Sequence, residues 1–84
     1  MRTRSDRPQK PAPFRVYSPG SLGAAVRHYR QQEGLSQAEL AERTGLNRTY
    51  LSALEHGRET EQVKLLLRVL RQLGGRMTLE KADW

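Results

Sequence analysis

Apolar residues recur at helical spacing in four separate segments of the chain. The first segment, residues 19–32, carries the stripe Leu22, Ala25, Val26 and Tyr29. Ser18 and Pro19 mark its start, because serine caps the first turn and proline loses no hydrogen bond at the first helical position. Gly34 ends it. We expect the other side of this helix to face outward, with the polar residues Arg27, His28, Arg30, Gln31 and Gln32.

Two short helices with a glycine turn between them follow. Ser36 and Glu39 have the spacing of a capping box, and Asn47 is a second helix cap. Gly45 supplies the left-handed backbone that ends the first of the two helices. The apolar positions are Leu40, Ala41, Leu46, Leu51 and Leu54. This pattern predicts a helix-turn-helix whose second helix runs from Arg48 to about His56, although helical hairpins also occur in unrelated bundles.

The fourth helix is more apolar than one core face requires. It is predicted to begin at Glu61 after a Thr60 cap and to end at about Leu73 before two glycines. Its core stripe is expected to be Val63, Leu66, Leu67 and Leu70. Leu65 and Val69 point the other way, with Leu73 at the edge, and a second apolar face favours a second copy of the chain as partner.

The C-terminal segment alternates polar and apolar residues from Arg76 to Glu80, which predicts a β-strand. No other segment is an obvious partner for it, so we expect it to pair with the same segment of a second subunit. The predicted dimer contacts are Leu65, Val69, Leu73, Met77 and Leu79. Trp84 either contacts a partner protein or folds back onto its own subunit, and the residues alone favour neither interpretation.

Composition adds a basic charge and excludes several classes of site. The chain has 84 residues, a net charge of +6 and no cysteine. It is therefore expected to be one small domain without disulfides or thiolate metal sites. The basic charge is typical of a nucleic-acid binder, although an acidic membrane or an acidic protein partner would suit it equally. Neither a cofactor nor a bound metal is expected. No apolar run is long enough to span a membrane. With two histidines and no paired carboxylates in a pocket-forming context, an enzyme is not expected.

Three regions are predicted along the chain. Residues 1–13 form a basic arm rich in arginine and proline, expected to be disordered. It is either a solvated tail or leftover sequence, which we favour, or an arm that adds phosphate contacts or enters a minor groove. Residues 14–75 form the helix-turn-helix domain. Residues 76–84 form the dimerisation strand and the C-terminal tail.

The candidate DNA-binding residues surround the start of the second helix of the motif. The first turn of such a helix reaches base edges in the major groove, where arginine pairs with guanine, asparagine with adenine and threonine with the thymine methyl group. The predicted DNA contacts are Ser36, Gln37, Asn47, Arg48, Thr49, Ser52 and Arg58.

The spacing of Gln37, Leu40-Ala41, Gly45-Leu46, Leu51-Ser52 and Glu55 resembles the helix-turn-helix of the Cro/C1-type (XRE) repressor family. The ordered chain, with Tyr17-Ser18-Pro19, Arg30-Gln31-Gln32, Met77-Thr78-Leu79 and Trp84, is similar to the HipB antitoxins. The resemblance implies an all-α, lambda-repressor-like bundle of four to five helices, with a short C-terminal strand that pairs across a dimer.

The same resemblance implies a function. A HipB-like protein would repress its own operon by binding palindromic double-stranded DNA as a homodimer in the cytoplasm, at the nucleoid. Gln37 would contact phosphate, and Asn47, Arg48, Thr49 and Ser52 would read bases. It would also neutralise a HipA-like serine/threonine kinase toxin, on which Trp84 would dock. The alternative is a stand-alone XRE-family regulator without a toxin partner. Glu55 is expected to be a structural acceptor behind the motif.

Overall fold

The computed structural model describes residues 14–58 and 61–82. Within them the chain forms four helices and two short strands, in the order β1 (Phe14–Val16), α1 (Pro19–Gln32), α2 (Gln37–Thr44), α3 (Arg48–Glu55), α4 (Glu61–Gln72) and β2 (Met77–Leu79). The predicted all-α, helix-turn-helix fold class is confirmed. Among the described residues, no helix is both long and apolar enough to cross a bilayer.

The predicted helix starts in the first three helices are confirmed, because each depends on neighbouring residues. Ser18 and Ser36 each form a capping box with the third residue of the helix that follows. The side chain of Asn47 caps α3. Gly45 ends α2 in the left-handed conformation, with φ of 71°. The predicted Thr60 cap of α4 lies outside the described residues.

The core is small and takes one apolar side chain from each of four elements. Val16 of β1, Ala25 of α1, Leu51 of α3 and Leu67 of α4 are buried. Gly23 lets α1 and α3 approach closely, since a Cβ atom there would lie 2.5 Å from the Leu54 carbonyl oxygen. No side chain fits between the two backbones at this point, so α1 fixes the position of α3.

The predicted C-terminal strand is present, but it has a partner within its own chain. β2 pairs antiparallel with β1, and Phe14 lies opposite Leu79. The expectation that no other segment would pair with it is therefore wrong. The Tyr29 hydroxyl donates a hydrogen bond to the Leu79 carbonyl at 3.1 Å, and the Phe14 ring packs on His28 with centroids 4.8 Å apart. These contacts attach the two-stranded sheet to α1, and they make His28 half-buried where an outward-facing residue was expected.

The fourth helix exposes more apolar surface than its pattern predicted. Leu66 was expected in the core stripe, yet it is 47% exposed, and Leu67 is the buried residue of this helix. Leu65, Val69 and Leu73 are exposed as well, at 44%, 54% and 77%. One side of α4 and Leu73, the residue directly after it, therefore form an exposed apolar face, called here the apolar face of α4 and defined by Leu65, Leu66, Val69 and Leu73.

Candidate nucleic-acid interface

The turn between α2 and α3 presents the start of α3 to solvent. Asn47, Arg48 and Thr49 are exposed, and Ser52 one turn later is half-buried. The helix can show this polar side because its other side packs inward through Leu51. A helix end of this kind has the size and polarity to enter the major groove of DNA.

A polar groove runs beside α3 and brings together most of the predicted DNA contacts. It is lined by Gln37, Arg48, Thr49, Ser52, Ala53 and Arg58. Arg48 and Arg58 give it two cationic side chains, which suit the phosphates of a nucleic acid. The fold thus places Gln37 from α2 and Arg58 from beyond α3 next to the start of α3, although they are distant from one another in sequence.

Behind this groove, a buried ion pair joins α1 to α3. The Arg30 side chain donates two hydrogen bonds to the Glu55 carboxylate, from Nε at 2.6 Å and from Nη2 at 3.0 Å. The two side chains are only 11% and 2% exposed. Arg30 was expected to face outward, and that expectation is wrong because its guanidinium turns inward to this partner. The prediction that Glu55 is a structural acceptor is confirmed.

The same carboxylate also holds a residue of the groove. Gln37 donates from Nε2 to Glu55 Oε1 at 3.1 Å, and Arg30 Nη1 donates to the Leu35 carbonyl at 2.8 Å. Glu55 therefore connects α1, α2 and α3. Its hydrogen bonds from Arg30, with a smaller contribution from Gln37, outweigh the cost of burial and lower the pKa of the carboxyl group below its ordinary value.

Two predicted DNA contacts serve as helix caps as well. Asn47 Oδ1 accepts a hydrogen bond from the Thr49 backbone N–H at 2.6 Å, which leaves the Nδ2 group as the outward donor. Ser36 Oγ accepts from the Glu39 N–H at 3.0 Å, and Glu39 Oε1 accepts from the Ser36 N–H at 2.7 Å. The Ser36 N–H thereby lowers the pKa of Glu39. A bidentate contact of Asn47 with adenine would require Oδ1 to serve the cap and the base together.

Sequence analysis missed two residues on the exposed side of α3. Tyr50 is 41% exposed and, with Asn47, Thr49 and Ala53, lines a second groove. Ala53 lies one helical turn after Thr49 and lines both grooves. The spacing of four residues was the signal for Ala53, whereas an aromatic residue such as Tyr50 is usually assigned to a core.

The predicted dimer contacts lie on two elements. Leu65, Val69 and Leu73 belong to the apolar face of α4, while Met77 and Leu79 of β2 are half-buried. Trp84, the predicted toxin contact, and the basic arm of residues 1–13 lie outside the described residues.

Comparison with known proteins identifies relatives of this arrangement. A family profile described as helix-turn-helix matches residues 26–78. An HTH-type transcriptional regulator named y4mF, from Sinorhizobium fredii, is 38% identical over 60 residues, which cover 71% of this chain and 79% of that protein. A regulator of the same type from Methanothermobacter thermautotrophicus is 45% identical over 49 residues, covering 58% and 71%.

A third relative is the antitoxin HipB of Escherichia coli strain K12. It is 32% identical over 65 residues, which cover 77% of this chain and 74% of that protein. No solved structure has a significant match to the chain.

Glu55→Gln should destabilise the fold. The substitution keeps the shape of the side chain but leaves the buried Arg30 guanidinium without its negative partner. We expect the free energy of unfolding to fall by about 3 kcal/mol, measured by urea denaturation. The matched control is Glu33→Gln, which breaks the exposed ion pair with Lys81 at 2.8 Å and should have a much smaller effect. Equal effects of the two substitutions would contradict a structural role for the buried pair.

The stability of the wild type and that of Glu55→Gln should depend differently on pH. The pKa of Glu55 is lowered in the folded state, so its contribution is complete above the ordinary value of 4.5 and is lost as the pH falls through the lowered pKa. The stability difference between the wild type and Glu55→Gln should therefore shrink below pH 4.5. A difference that stays constant down to the acid unfolding transition would contradict this assignment.

Proposed function

Because the chain belongs to the helix-turn-helix family of the Cro/C1 (XRE) type, whose members regulate transcription, we propose that it is a repressor that binds a palindromic operator as a homodimer. The observation that carries the proposal is the exposed polar start of α3 beside a groove with two arginines. The net charge of +6 supports the same conclusion.

The groove and the helix have different parts in this proposal. Gln37, Arg58 and Ser36 contact phosphates and set the position of the subunit on the duplex. Arg48 and Thr49 point from the first turn of α3 toward base edges in the major groove. Asn47 and Ser52 lie beside Arg48 and Thr49 and are proposed to read bases as well. Glu55 contributes indirectly, because its hydrogen bond holds the Gln37 side chain at the edge of the groove.

Arg48→Ala should weaken binding to the operator selectively. If Arg48 pairs with a guanine, its loss costs about 1–3 kcal/mol on the operator and little on random DNA of the same length. Fluorescence anisotropy with both duplexes at one salt concentration measures the two affinities. The control is Arg27→Ala, which removes the same charge from the exposed side of α1. Equal losses on both duplexes would assign Arg48 to phosphate contact instead of base reading.

The dimer in this proposal is joined through the apolar face of α4. Four large apolar side chains lie exposed on one side of that helix, more than a solvated helix normally carries. A second copy of the same face covers them symmetrically. Leu79 and Met77 belong to β2 in the following segment, and the edge of β2 that has no partner strand among the described residues is proposed as a further contact between subunits. Two copies of α3 would then lie about 34 Å apart, or a multiple of that distance.

Val69→Lys should convert the dimer to a monomer. The substitution places a charge in the centre of the apolar face, where it would be buried without a partner in the dimer. Sedimentation velocity should show about half the mass of the wild type. The control, Lys64→Gln, changes an exposed position of the same helix away from the apolar face and should leave the mass unchanged. A variant Val69→Lys that keeps the mass of the wild type would place the dimer contact elsewhere.

The likeness to HipB supports a finer proposal. We propose that the chain is the antitoxin of a HipA-like serine/threonine kinase, acts in the cytoplasm at the nucleoid, and represses its own operon. Trp84 is proposed to dock on that toxin, since tryptophan is enriched at the energetic centre of protein interfaces. The alternative is a stand-alone XRE-family regulator, which the likeness to y4mF supports equally.

Removal of Trp84 distinguishes toxin binding from operator binding. Its loss should weaken binding to a HipA-like kinase, where one is encoded beside this gene, as measured by isothermal titration calorimetry, and should leave operator affinity unchanged. Replacement of the neighbouring Asp83 by Asn serves as the control for a change near the C-terminus. Unchanged kinase affinity after loss of Trp84 would refute the docking role. Failure of the wild type to bind the kinase at all would favour the stand-alone regulator.

A further inference from the structure

The second groove on α3 differs in chemistry from the first. It is lined by Asn47, Thr49, Tyr50 and Ala53, and none of these side chains is charged. The cationic residues of the interface, Arg48 and Arg58, line the polar groove instead. Thr49 and Ala53, one turn apart, line both grooves and form the ridge between them.

The lining of this second groove combines apolar groups with the Asn47 amide and the hydroxyl groups of Thr49 and Tyr50. Thr49 and Ala53 contribute a methyl group each, and Tyr50 contributes a ring that is 41% exposed. Asn47 is the remaining lining residue. Its Oδ1 atom is engaged by the Thr49 N–H at 2.6 Å, so the hydrogen bond of the cap fixes the orientation of the amide and leaves Nδ2 to donate.

This combination matches one base edge of the major groove. Thymine presents a methyl group at C5 next to the acceptor O4. Cytosine lacks the methyl group and presents the N4 amino donor, which would meet the Nδ2 donor of Asn47. Adenine and guanine have no methyl group on this side. The methyl group of a C5-methylated pyrimidine therefore fits against the apolar groups of the lining, and an acceptor at C4 that receives the Asn47 Nδ2–H selects thymine over 5-methylcytosine.

We propose that Thr49, Tyr50 and Ala53 form a methyl-reading site that, with the Asn47 amide as donor to O4, makes the regulator specific for a thymine in each half of its operator. The inference rests on the proposed function, since it requires α3 to lie in the major groove. It adds Tyr50 and Ala53 as specificity-determining residues and assigns Asn47 to thymine instead of adenine.

The test compares thymine with uracil, which differ only in the methyl group. The wild-type chain first selects duplexes from a randomised 30-base-pair pool, and the selected duplex is then remade with deoxyuridine at each thymine in turn. At one thymine of each half-site the affinity should fall by about fourfold, the factor that corresponds to one buried methyl group. A duplex with no such thymine would overturn the inference.

Variants of the chain assign this effect to the groove. Thr49→Ser removes the methyl group and keeps the hydroxyl, so the ratio of thymine to uracil affinity should approach one. Tyr50→Ala should also lower the ratio, whereas Tyr50→Phe, which keeps the ring, should preserve it. The control is Arg58→Ala, because Arg58 lines only the polar groove. It should weaken binding to the thymine and uracil duplexes equally. A ratio that is unchanged in both Thr49→Ser and Tyr50→Ala would overturn the inference.

A third duplex distinguishes the two methylated pyrimidines. When the selected thymine–adenine pair is replaced by 5-methylcytosine–guanine, the methyl group remains but the C4 acceptor becomes a donor, and the affinity should not be restored. Equal affinity for both pairs would overturn the assignment to thymine. The proposed function fails separately, if the wild-type chain enriches no duplex from the pool.

Discussion

The bidentate ion pair between Arg30 and Glu55 is the contact on which the arrangement of the first three helices depends. Burial of two charges is costly, and it is offset only when the geometry of the pair is good and further hydrogen bonds are made to both side chains. Glu55 accepts from Arg30 twice and from Gln37, and the third donor of Arg30 reaches the Leu35 carbonyl. In the described part of the chain no buried side-chain polar atom lacks a partner. The network therefore fixes α3 relative to α2 and connects the core to the polar groove beside α3.

Local features of this fold could be predicted from the sequence, and features that join distant segments could not. The Ser18, Ser36 and Asn47 caps depend on residues two or three positions away, and all three were predicted correctly. The pairing of β1 with β2 joins the two ends of the described chain, where a three-residue strand carries too little pattern to identify its partner. Arg30 was misplaced for the same reason, because its partner lies 25 residues away and helical periodicity assigns a charged residue to solvent.

In the candidate site, too, some features of a single helix follow from neighbouring residues and others depend on distant segments. Exposure of Asn47, Arg48 and Thr49 follows from the cap and from the buried Leu51, so the polar side of α3 could be predicted. The separation of that side into a cationic and an uncharged groove could not, since it depends on Gln37 from α2 and Arg58 from the segment after α3. A helix of eight residues thereby offers two chemically different surfaces, one suited to phosphate and one to base edges.

The small core of the subunit connects its stability to its assembly. Among the described residues the buried apolar side chains are Val16, Ala25, Leu51 and Leu67, whereas seven large apolar side chains are exposed. A domain of this size buries a limited fraction of its surface and is only marginally stable alone. Four of the seven lie on the apolar face of α4, so a second subunit that covers this face would enlarge the core that holds α1 and α3 in place. Because association of folded subunits stabilises the folded state, the proposed dimer would couple the apolar face of α4 to the stability of the helices that carry the candidate site.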